Sequence, residues 1–233
     1  MTQELFRTDA YLKAADATVE SIVEEGIVLN QTVFYPEGGG QPGDRGVLRF
    51  SNGEGITIVD TRRGPGGSVV HLCAGNTTLP EIGATVCAAI DWDHRYRNMR
   101  THTCLHLLCS LIPFPVTGGS ISQHKGRLDF DMAETIDKTS VEKALQKLII
   151  EDHEVTFRWI SDGEMNDSME LVRTMSVAPP MDSGQVRLIE VSGVDLQPCG
   201  GTHVARTGEI GGVRIGKVEK KGKHNRRINL HLD

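Results

Sequence analysis

Two pairs of potential metal ligands, more than ninety residues apart, constrain this chain more than any other feature of its sequence. His102 and His106 are four residues apart in a segment with helical character, so both imidazoles fall on one helical face and can reach one ion. Cys199 and His203 have the same spacing in a glycine-containing segment. Three imidazoles and a thiolate form a ligand set typical of Zn²⁺. If they bind one ion, the fold must bring the two segments together.

The spacing by itself leaves an alternative open. With 9 histidines and 5 cysteines in 233 residues, chance produces about 0.3 pairs of the first kind and about 0.2 of the second, or roughly 0.06 for both together. The alternative is an amphipathic helix with two partly buried histidines and a cysteine in a turn. A metalloprotease is disfavoured, because its helical motif has glutamate directly after the first histidine, where this chain has Thr103.

The rest of the chain predicts an α+β protein with a β-barrel-like domain over 1–91 and a mixed domain over 92–233. β-Branched segments recur about every ten residues in the first domain, with glycine clusters between them, which is typical of a small antiparallel barrel or sandwich. The predicted strands are 16–23, 26–33, 47–50, 56–60, 68–72 and 85–90.

The pattern changes to helical near residue 91, with Asp91 or Asp93 as the expected N-cap. A capping box formed by Thr139 and Glu142 predicts the start of a second helix. The elements expected in this part are helices over 95–112, 139–152 and 164–173, strands over 127–132 and 155–160, and three strands with glycine-rich turns from residue 186.

The densest turn chemistry lies in the glycine-rich loop 38–43, which includes Gly39, Gly40 and Gln41. Glycine permits backbone angles and close approaches that other residues forbid. The loop therefore either makes a tight bend or lies against a ligand, and both interpretations stay open.

Charge is unevenly distributed along the chain. The net charge is −6, which argues against a generic coat for nucleic acid. The segment 214–227, however, carries seven basic residues against Glu219 alone. It is either a local site for phosphates or a solvated pair of strands with scattered lysines.

Other features exclude further classes. No apolar stretch is long enough to span a bilayer, and the first residues lack the apolar core of a signal peptide. The five cysteines form no close-spaced framework, so we expect no disulfide scaffold and a cytoplasmic location. The four cysteines outside the second ligand pair are expected to be small core residues: Cys73, Cys87, Cys104 and Cys109.

Five segments of the chain, in order, carry a resemblance to a known family. His102-Thr-Cys-Leu-His-Leu-Leu108 and Cys199-Gly-Gly-Thr-His-Val204 resemble the paired zinc motifs of the editing domains in alanyl- and threonyl-tRNA synthetases. The glycine-rich segment 32–46 resembles the one beside the alanyl-type domain. The other two matches are Arg127-Leu-Asp-Phe-Asp131, and Thr207-Gly-Glu-Ile-Gly211 with Arg226-Arg-Ile228. With no room for aminoacylation or anticodon-binding domains, the chain resembles a freestanding AlaX protein of the medium-length class.

The resemblance implies a hydrolase that removes a wrong amino acid, chiefly serine, from alanine tRNA. It implies Zn²⁺ bound by His102, His106, Cys199 and His203, and tRNA as the partner, with no membrane and no stable protein partner. Whether glycyl-tRNA is also cleaved stays open. It also stays open whether the zinc site is a closed structural site with four protein ligands or a catalytic site with an open position. The alternatives are a non-catalytic tRNA-binding module with a structural zinc, and a threonyl-type editing domain.

Roles for further residues follow from that chemistry. Gly200 and Gly201 either leave backbone N–H groups free for an oxyanion, with Gly200 as the catalytic donor, or simply turn the chain. If the loop 38–43 closes over the terminal adenosine, Gln41 is its expected catalytic group, and Gly39 and Gly40 are its expected substrate-binding residues. The family's threonine before the second histidine and its loop glutamine are replaced here by Leu105 and Thr117. We therefore expect Thr117 or Ser120 to contact the serine hydroxyl. The residues expected to contact acceptor-stem phosphates are Lys217, Lys220, Lys221, Lys223, Arg226 and Arg227.

Overall fold

The structure of the protein, a computed structural model, describes residues 1–24, 26–75, 77–122, 124–175 and 184–233. The chain divides into two compact units, Met1–Tyr96 and Arg97–Asp233. The fold is mixed α+β, as predicted. Among the described residues, no helix combines the length and the apolar character that crossing a bilayer requires. The domain boundary expected near residue 91 stays a prediction.

The first unit contains a closed antiparallel barrel of six strands, which confirms the expectation of a barrel. Side chains alternate along its strands, so that Ile56 and Ile58 point inward while Thr57 and Val59 are exposed. The strands of this unit are β1 (Gln3–Glu4), β2 (Ala14–Val23), β3 (Gly26–Leu29), β4 (Gln31–Thr32), β5 (Gly46–Arg49), β6 (Gly55–Arg63), β7 (Val69–Cys73) and β8 (Thr85–Ile90). The barrel order is β2-β3-β7-β6-β5-β8, and β1 pairs with β4 outside the barrel.

The second unit contains most of a long helix and two sheets. From residue 92 onward the elements are α1 (Trp92–Leu111), β9 (Val116–Ser122), β10 (Lys125–Asp131), α2 (Lys138–Ile150), β11 (Val155–Ser161), α3 (Asp162–Asn166), β12 (Gln185–Val191), β13 (Asp195–Pro198), β14 (Val213–Gly222) and β15 (Asn225–Leu232). The four-stranded sheet has the order β14-β15-β10-β9, and the three-stranded sheet has the order β11-β12-β13. Short 3₁₀ segments cover Leu5–Arg7, Pro65–Gly67, Met169–Leu171 and Thr207–Ile210.

Helix α1 is buried along its middle, where every residue from 101 to 109 is shielded from solvent. The backbone N–H of His94 donates to the Asp91 carboxylate at 3.1 Å, which confirms Asp91 as one of the two expected N-caps. Gly126 of β10 lies against the helix, because a Cβ there would come within 3.0 Å of atoms of Thr101 and Leu105. The buried middle of the helix includes the polar residues His102, Thr103 and His106.

Four predictions differ from the structure. The three strands expected from residue 186 are four, β12 to β15. The strand over 26–33 is two strands, broken at Asn30. The capping box at Thr139 is wrong: Asp137 caps α2 by accepting from the Thr139 N–H, and Glu142 accepts from the Ile215 N–H at 2.6 Å. The helix predicted over 164–173 is a short α3, capped by Ser161, followed by a 3₁₀ turn.

The segment around Thr117 and Ser120, expected to be a loop, is strand β9. Its two consecutive glycines lower its strand propensity, which concealed it in the sequence. Pairing with β10 along nearly its whole length overrides that propensity.

A buried ion pair anchors the glycine-rich segment within the first unit. The Arg95 guanidinium donates to both carboxylate oxygens of Asp44 and to the carbonyl oxygens of Ala10 and Val33, at 2.9 and 2.5 Å. Both side chains of the pair are fully buried. The Asp44 carboxylate also accepts from the Tyr35 N–H at 2.7 Å, so that it ties both ends of the segment together.

We expect Asp44→Ala to lower the free energy of unfolding by about 3–5 kcal/mol, because it leaves a buried guanidinium without its counter-charge. Urea unfolding of the full chain measures the loss. Arg62→Ala is the matched control, since it removes an exposed pair with Asp60 at 2.9 Å and is expected to cost no more than about 1 kcal/mol. Equal losses in the two variants would contradict the anchoring role.

Candidate functional site

The two predicted ligand pairs meet in the second unit. His102 and His106 lie one turn apart on α1, and Cys199 and His203 lie in the segment that follows β13. One potential ligand atom from each of the four residues lies within 4.8 Å of the others. The Cys199 Sγ is 3.5 Å from Nε2 of His102 and 3.4 Å from Nε2 of His203. The group could hold a metal ion.

The donor set and its spacing fit Zn²⁺. Zn–S bonds of about 2.3 Å and Zn–N bonds of about 2.0–2.1 Å in a tetrahedral site place sulfur and nitrogen about 3.6 Å apart. The two Sγ–Nε2 distances in the structure, 3.5 and 3.4 Å, agree with that separation. Cys104 is buried in α1 between the two histidines and is not a member of the group, as expected from its position on the helix.

Burial keeps the three imidazoles neutral. It lowers the pKa of His106 to about 3, with a further contribution from the nearby Arg187. Burial also lowers the pKa of His102 and His203 well below the usual range, and the neighbouring histidines add to the effect. A neutral imidazole offers a lone pair to a cation, so the environment favours the form that binds a metal.

Thr103 orients His203 from the helix. Its hydroxyl oxygen is 3.2 Å from Nδ1 of His203 and accepts from the Val204 N–H at 3.2 Å. If Nε2 of His203 binds a cation, Nδ1 carries the proton and donates it to the Thr103 oxygen. Contacts of this kind fix the tautomer and the ring direction of a metal-binding histidine. Thr103 thus supports a ligand, where a metalloprotease would place its glutamate.

Asp195 faces His106 from β13. Its Oδ2 lies 3.8 Å from Nδ1 of His106 and accepts from Gln197 Nε2 at 2.5 Å. Its Oδ1 is 3.8 Å from the Arg173 guanidinium. Nδ1 of His106 and Oδ1 of Asp195 are buried without a hydrogen-bond partner, and burial raises the pKa of the Asp195 carboxyl. A carboxylate beside the outer nitrogen of a ligand imidazole is typical of metal sites.

Arg187 of β12 fixes the turn that carries the thiol. Its guanidinium donates to the carbonyl oxygens of Cys199 at 3.2 Å and Gly201 at 2.9 Å. The Gly201 N–H donates to the Cys199 sulfur at 3.4 Å. A fixed positive charge and an N–H donor both favour the thiolate. The Gly201 N–H is therefore directed at the Cys199 sulfur. Of the two glycines, Gly200 is the one whose N–H remains a candidate donor to an oxyanion.

The residues expected to contact the serine hydroxyl lie on β9. The Thr117 hydroxyl donates to the Asp129 carbonyl oxygen at 3.1 Å and accepts from Asn225 Nδ2 at 3.0 Å. Ser120 of β9 pairs with Arg127 of β10. Its side chain therefore lies on the sheet face opposite to the one on which Gly126 packs against α1. The substrate roles of Thr117 and Ser120 stay predictions.

The glycine-rich loop belongs to the first unit. Gly38 and Gln41 exchange two backbone hydrogen bonds, of 3.1 and 2.9 Å, around Gly39 and Gly40. Both central glycines have positive φ, 57° and 81°, which is the requirement of a tight two-residue turn. The structure therefore has the bend that was one of the two interpretations. Gln41 is fully buried, and its catalytic role stays a prediction, like the substrate role of both glycines.

The basic residues divide into two groups on the hairpin of β14 and β15. Arg226 is buried and donates to the carbonyl oxygens of Gly222, Asn225 and Ala133. Arg227 makes two bonds of 2.8 Å to the Asp129 carboxylate. Both arginines therefore hold the hairpin. The exposed members are Lys217, Lys220, Lys221 and Lys223.

Sequence reasoning missed the residues around the ligands: Thr103, Arg187, Asp195 and Gln197. Part of a signal was available, because Asp195, Gln197 and Cys199 alternate and so share one face of a strand. The contact of Thr103 with His203 gave no local signal, since it spans a hundred positions.

Two family models match the chain. Residues 6–94 match the model described as tRNA synthetases class II (A). Residues 186–229 match the model described as threonyl and alanyl tRNA synthetase second additional domain. The second match includes Cys199 and His203 and thus one of the two ligand pairs.

Similar proteins cover the full chain. The chain is 36% identical to an alanyl-tRNA editing protein AlaX-M of Methanosarcina acetivorans, over 100% of this chain and 99% of the relative. It is 31% identical to the AlaX-M protein of Pyrococcus horikoshii, over 100% and 99%. Alanine–tRNA ligase of Thermococcus kodakarensis is 31% identical over 94% of this chain but only 24% of the ligase. The chain belongs to the AlaX-M family of alanyl-tRNA editing proteins.

Proposed function

We propose that the chain hydrolyses the ester of wrongly charged alanine tRNA, chiefly seryl-tRNA, with Zn²⁺ held by His102, His106, Cys199 and His203. The observation that carries the proposal is the convergence of four ligand atoms within 4.8 Å of one another. The names of the relatives, which are alanyl-tRNA editing proteins, supply the substrate class. A threonyl-type editing domain is less favoured, because the full-length relatives named above are alanyl-specific by name.

The residues around the ligands divide the work in this proposal. A bound Zn²⁺ would supply a Lewis acid for the ester carbonyl or lower the pKa of an attacking water. Thr103 contacts the His203 imidazole, Asp195 faces the His106 imidazole, and Arg187 fixes the turn through its two carbonyl contacts. The Gly200 backbone N–H is the proposed donor to the oxyanion that forms on the carbonyl.

Discrimination requires a buried polar environment. Alanine and serine differ by one hydroxyl, and a site built to hydrogen-bond a hydroxyl rejects an analogue that lacks it by about 10⁴-fold or more. Asp195 and Gln197 are buried beside the ligand His106. This polar environment supports serine, and not alanine, as the preferred amino acid.

We expect rapid deacylation of seryl-tRNA(Ala), slow or no deacylation of alanyl-tRNA(Ala), and loss of activity with a chelator that added Zn²⁺ restores. The assay also includes glycyl-tRNA(Ala) and seryl-tRNA(Thr), which define the breadth and the tRNA preference. Metal analysis of the purified chain accompanies it. A wild-type chain that binds tRNA but cleaves none of these esters would favour the non-catalytic module.

His102→Ala is expected to abolish deacylation while tRNA binding stays within about 2-fold, because the ligand lies in the chemical site and not on the exposed hairpin. Single-turnover deacylation and filter binding measure the two properties. His224→Ala, an exposed histidine on the hairpin, is the control that should retain activity. Equal loss of tRNA binding and of deacylation in His102→Ala would contradict the proposal that different residues carry out the two.

Asp195→Ala is expected to weaken Zn²⁺ binding about 10–100-fold, the usual effect of removing a carboxylate beside a ligand histidine. Competition with a chromogenic chelator measures the affinity without any activity assay. Glu190→Ala is the matched control, because Glu190 lies on the opposite face of the same sheet. An unchanged affinity in Asp195→Ala would remove this carboxylate from the site.

The exposed lysines are proposed to contact tRNA phosphates. Replacing Lys220, Lys221 and Lys223 with glutamine should reduce the salt dependence of binding by about 2–3 in the slope of log K against log salt. The control replaces three exposed lysines of α2 with the same change in net charge: Lys138, Lys143 and Lys147. If both triple variants change the slope equally, only the net charge matters and the hairpin has no special role.

A further inference from the structure

The register of the three-stranded sheet places an exposed tryptophan in line with the metal-binding thiol. Trp159 of β11 lies directly opposite Arg187 of β12. On the other side of Arg187, the Cys199 N–H donates to the Arg187 carbonyl oxygen at 3.0 Å, which continues the pairing of β12 with β13. Neighbouring strands are about 4.8 Å apart, so the backbones of Trp159 and Cys199 are about 10 Å apart.

A second aromatic residue shares this face. Phe157 is two positions before Trp159 on β11, so both side chains project to the same side of the sheet. The Arg187 guanidinium carbon lies 4.8 Å from the centre of the Phe157 ring. The sheet face therefore runs from the ligand Cys199 through a buried cation to two aromatic rings at the edge strand.

Both rings are partly exposed to solvent. Phe157 is 39% exposed and Trp159 37% exposed, and they are the two aromatic side chains among the large exposed hydrophobic residues of the described chain. The opposite face carries an apolar core in which Val186 and Leu188 pack with Met165. Leaving more than a third of each ring exposed forgoes part of the stability that complete burial would supply.

We propose that Phe157 and Trp159 form a stacking platform for the unpaired bases at the 3′ end of the tRNA. The inference rests on the proposed function, which places the aminoacyl ester beside Cys199. That ester is attached to the terminal ribose, so the bases next to it must lie near the metal site. Aromatic side chains at alternate positions of one strand face accept successive bases, and they do so without reading sequence.

The occupant is single-stranded RNA, for two reasons. The platform is continuous with the ligand site along one row of the sheet, and Arg187 adds a positive charge behind the Phe157 ring. A flat base between or over these rings is stabilised by stacking and by the cation. The platform and the lysine hairpin therefore act on different parts of the tRNA, the unpaired end and the phosphates of the stem.

The test uses two RNA duplexes that copy the acceptor stem and carry no amino acid. One has the unpaired 3′ end, and the other is blunt. Trp159→Leu keeps an apolar side chain but removes the aromatic face, and Trp159→Phe keeps a smaller ring. We expect Trp159→Leu to weaken binding of the duplex with the 3′ end about 10-fold, within the usual range for loss of one stacked base. Binding of the blunt duplex should be unchanged, and Trp159→Phe should restore most of the affinity.

Two further measurements separate the platform from other roles. The salt slope should be the same in Trp159→Leu and in the wild type, because stacking releases no counterions. Ile150→Ala, which shortens an exposed apolar side chain on α2, is the control that should bind both duplexes normally. Equal weakening on both duplexes would overturn the proposal, as would unchanged binding of the duplex with the 3′ end.

Sedimentation of Trp159→Leu tests whether a second copy of the chain occupies the patch. Reduced self-association with unaffected RNA binding would assign the patch to a protein interface and overturn the proposal. The binding assay needs no deacylation, so it can refute the stacking platform without refuting the proposed ester hydrolysis, and the reverse also holds. A wild-type chain that cleaves seryl-tRNA while Trp159→Leu loses no selective affinity refutes the platform alone. A chain that shows the selective loss but cleaves no ester refutes the proposed reaction alone.

Discussion

The clustering of three buried imidazoles with a half-buried thiol is the constraint on which the second unit depends. Polar groups taken out of water destabilise a fold unless partners replace the lost hydration. The surrounding contacts supply several partners: Thr103 for His203, and Gly201 for the Cys199 sulfur. A cation among the four ligand atoms would satisfy the remaining lone pairs, and its binding would then be coupled to the stability of this unit.

The ligand pairs could be predicted because each is local. A spacing of four residues on a helix fixes two side chains on one face whatever the rest of the chain does. The residues that support them could not be predicted in the same way, since Arg187 reaches Cys199 and Gly201 only after β12 and β13 have paired. Local patterns give the ligands, and tertiary pairing gives the groups that orient them.

The second helix shows the same limit in a different form. Thr139 and Glu142 have the spacing of a capping box, but Asp137 stands two residues earlier and caps the helix. Glu142 is then available for a long-range bond to the Ile215 N–H. The sequence offers two caps for this helix end, and the structure uses Asp137 while Glu142 bonds to a distant strand. The barrel was easier to predict, because alternation and turn spacing repeat six times and errors at single boundaries do not change the architecture.

A low aromatic content does not exclude a local stacking surface. Aromatic residues make up only 5% of the chain, which argues against recognition by rings if they are spread evenly. Position matters more than number, because Phe157 and Trp159 occupy alternate positions of an edge strand whose other face already has an apolar core. One face of the sheet packs Val186 and Leu188 into an apolar core, and the other face runs from Cys199 to the two rings.

In the proposed function, RNA contacts and chemical selectivity are separate. The lysine hairpin and the aromatic platform would contact groups that are identical in seryl- and alanyl-tRNA(Ala). Such binding lowers the free energy of both complexes equally, so it speeds capture without improving discrimination. Selectivity must then come from the few buried polar groups next to the ligands, where a missing hydroxyl leaves a partner unsatisfied. This explains why the polar side chains of Asp195 and Gln197 are buried beside His106, while the lysines remain exposed on a hairpin.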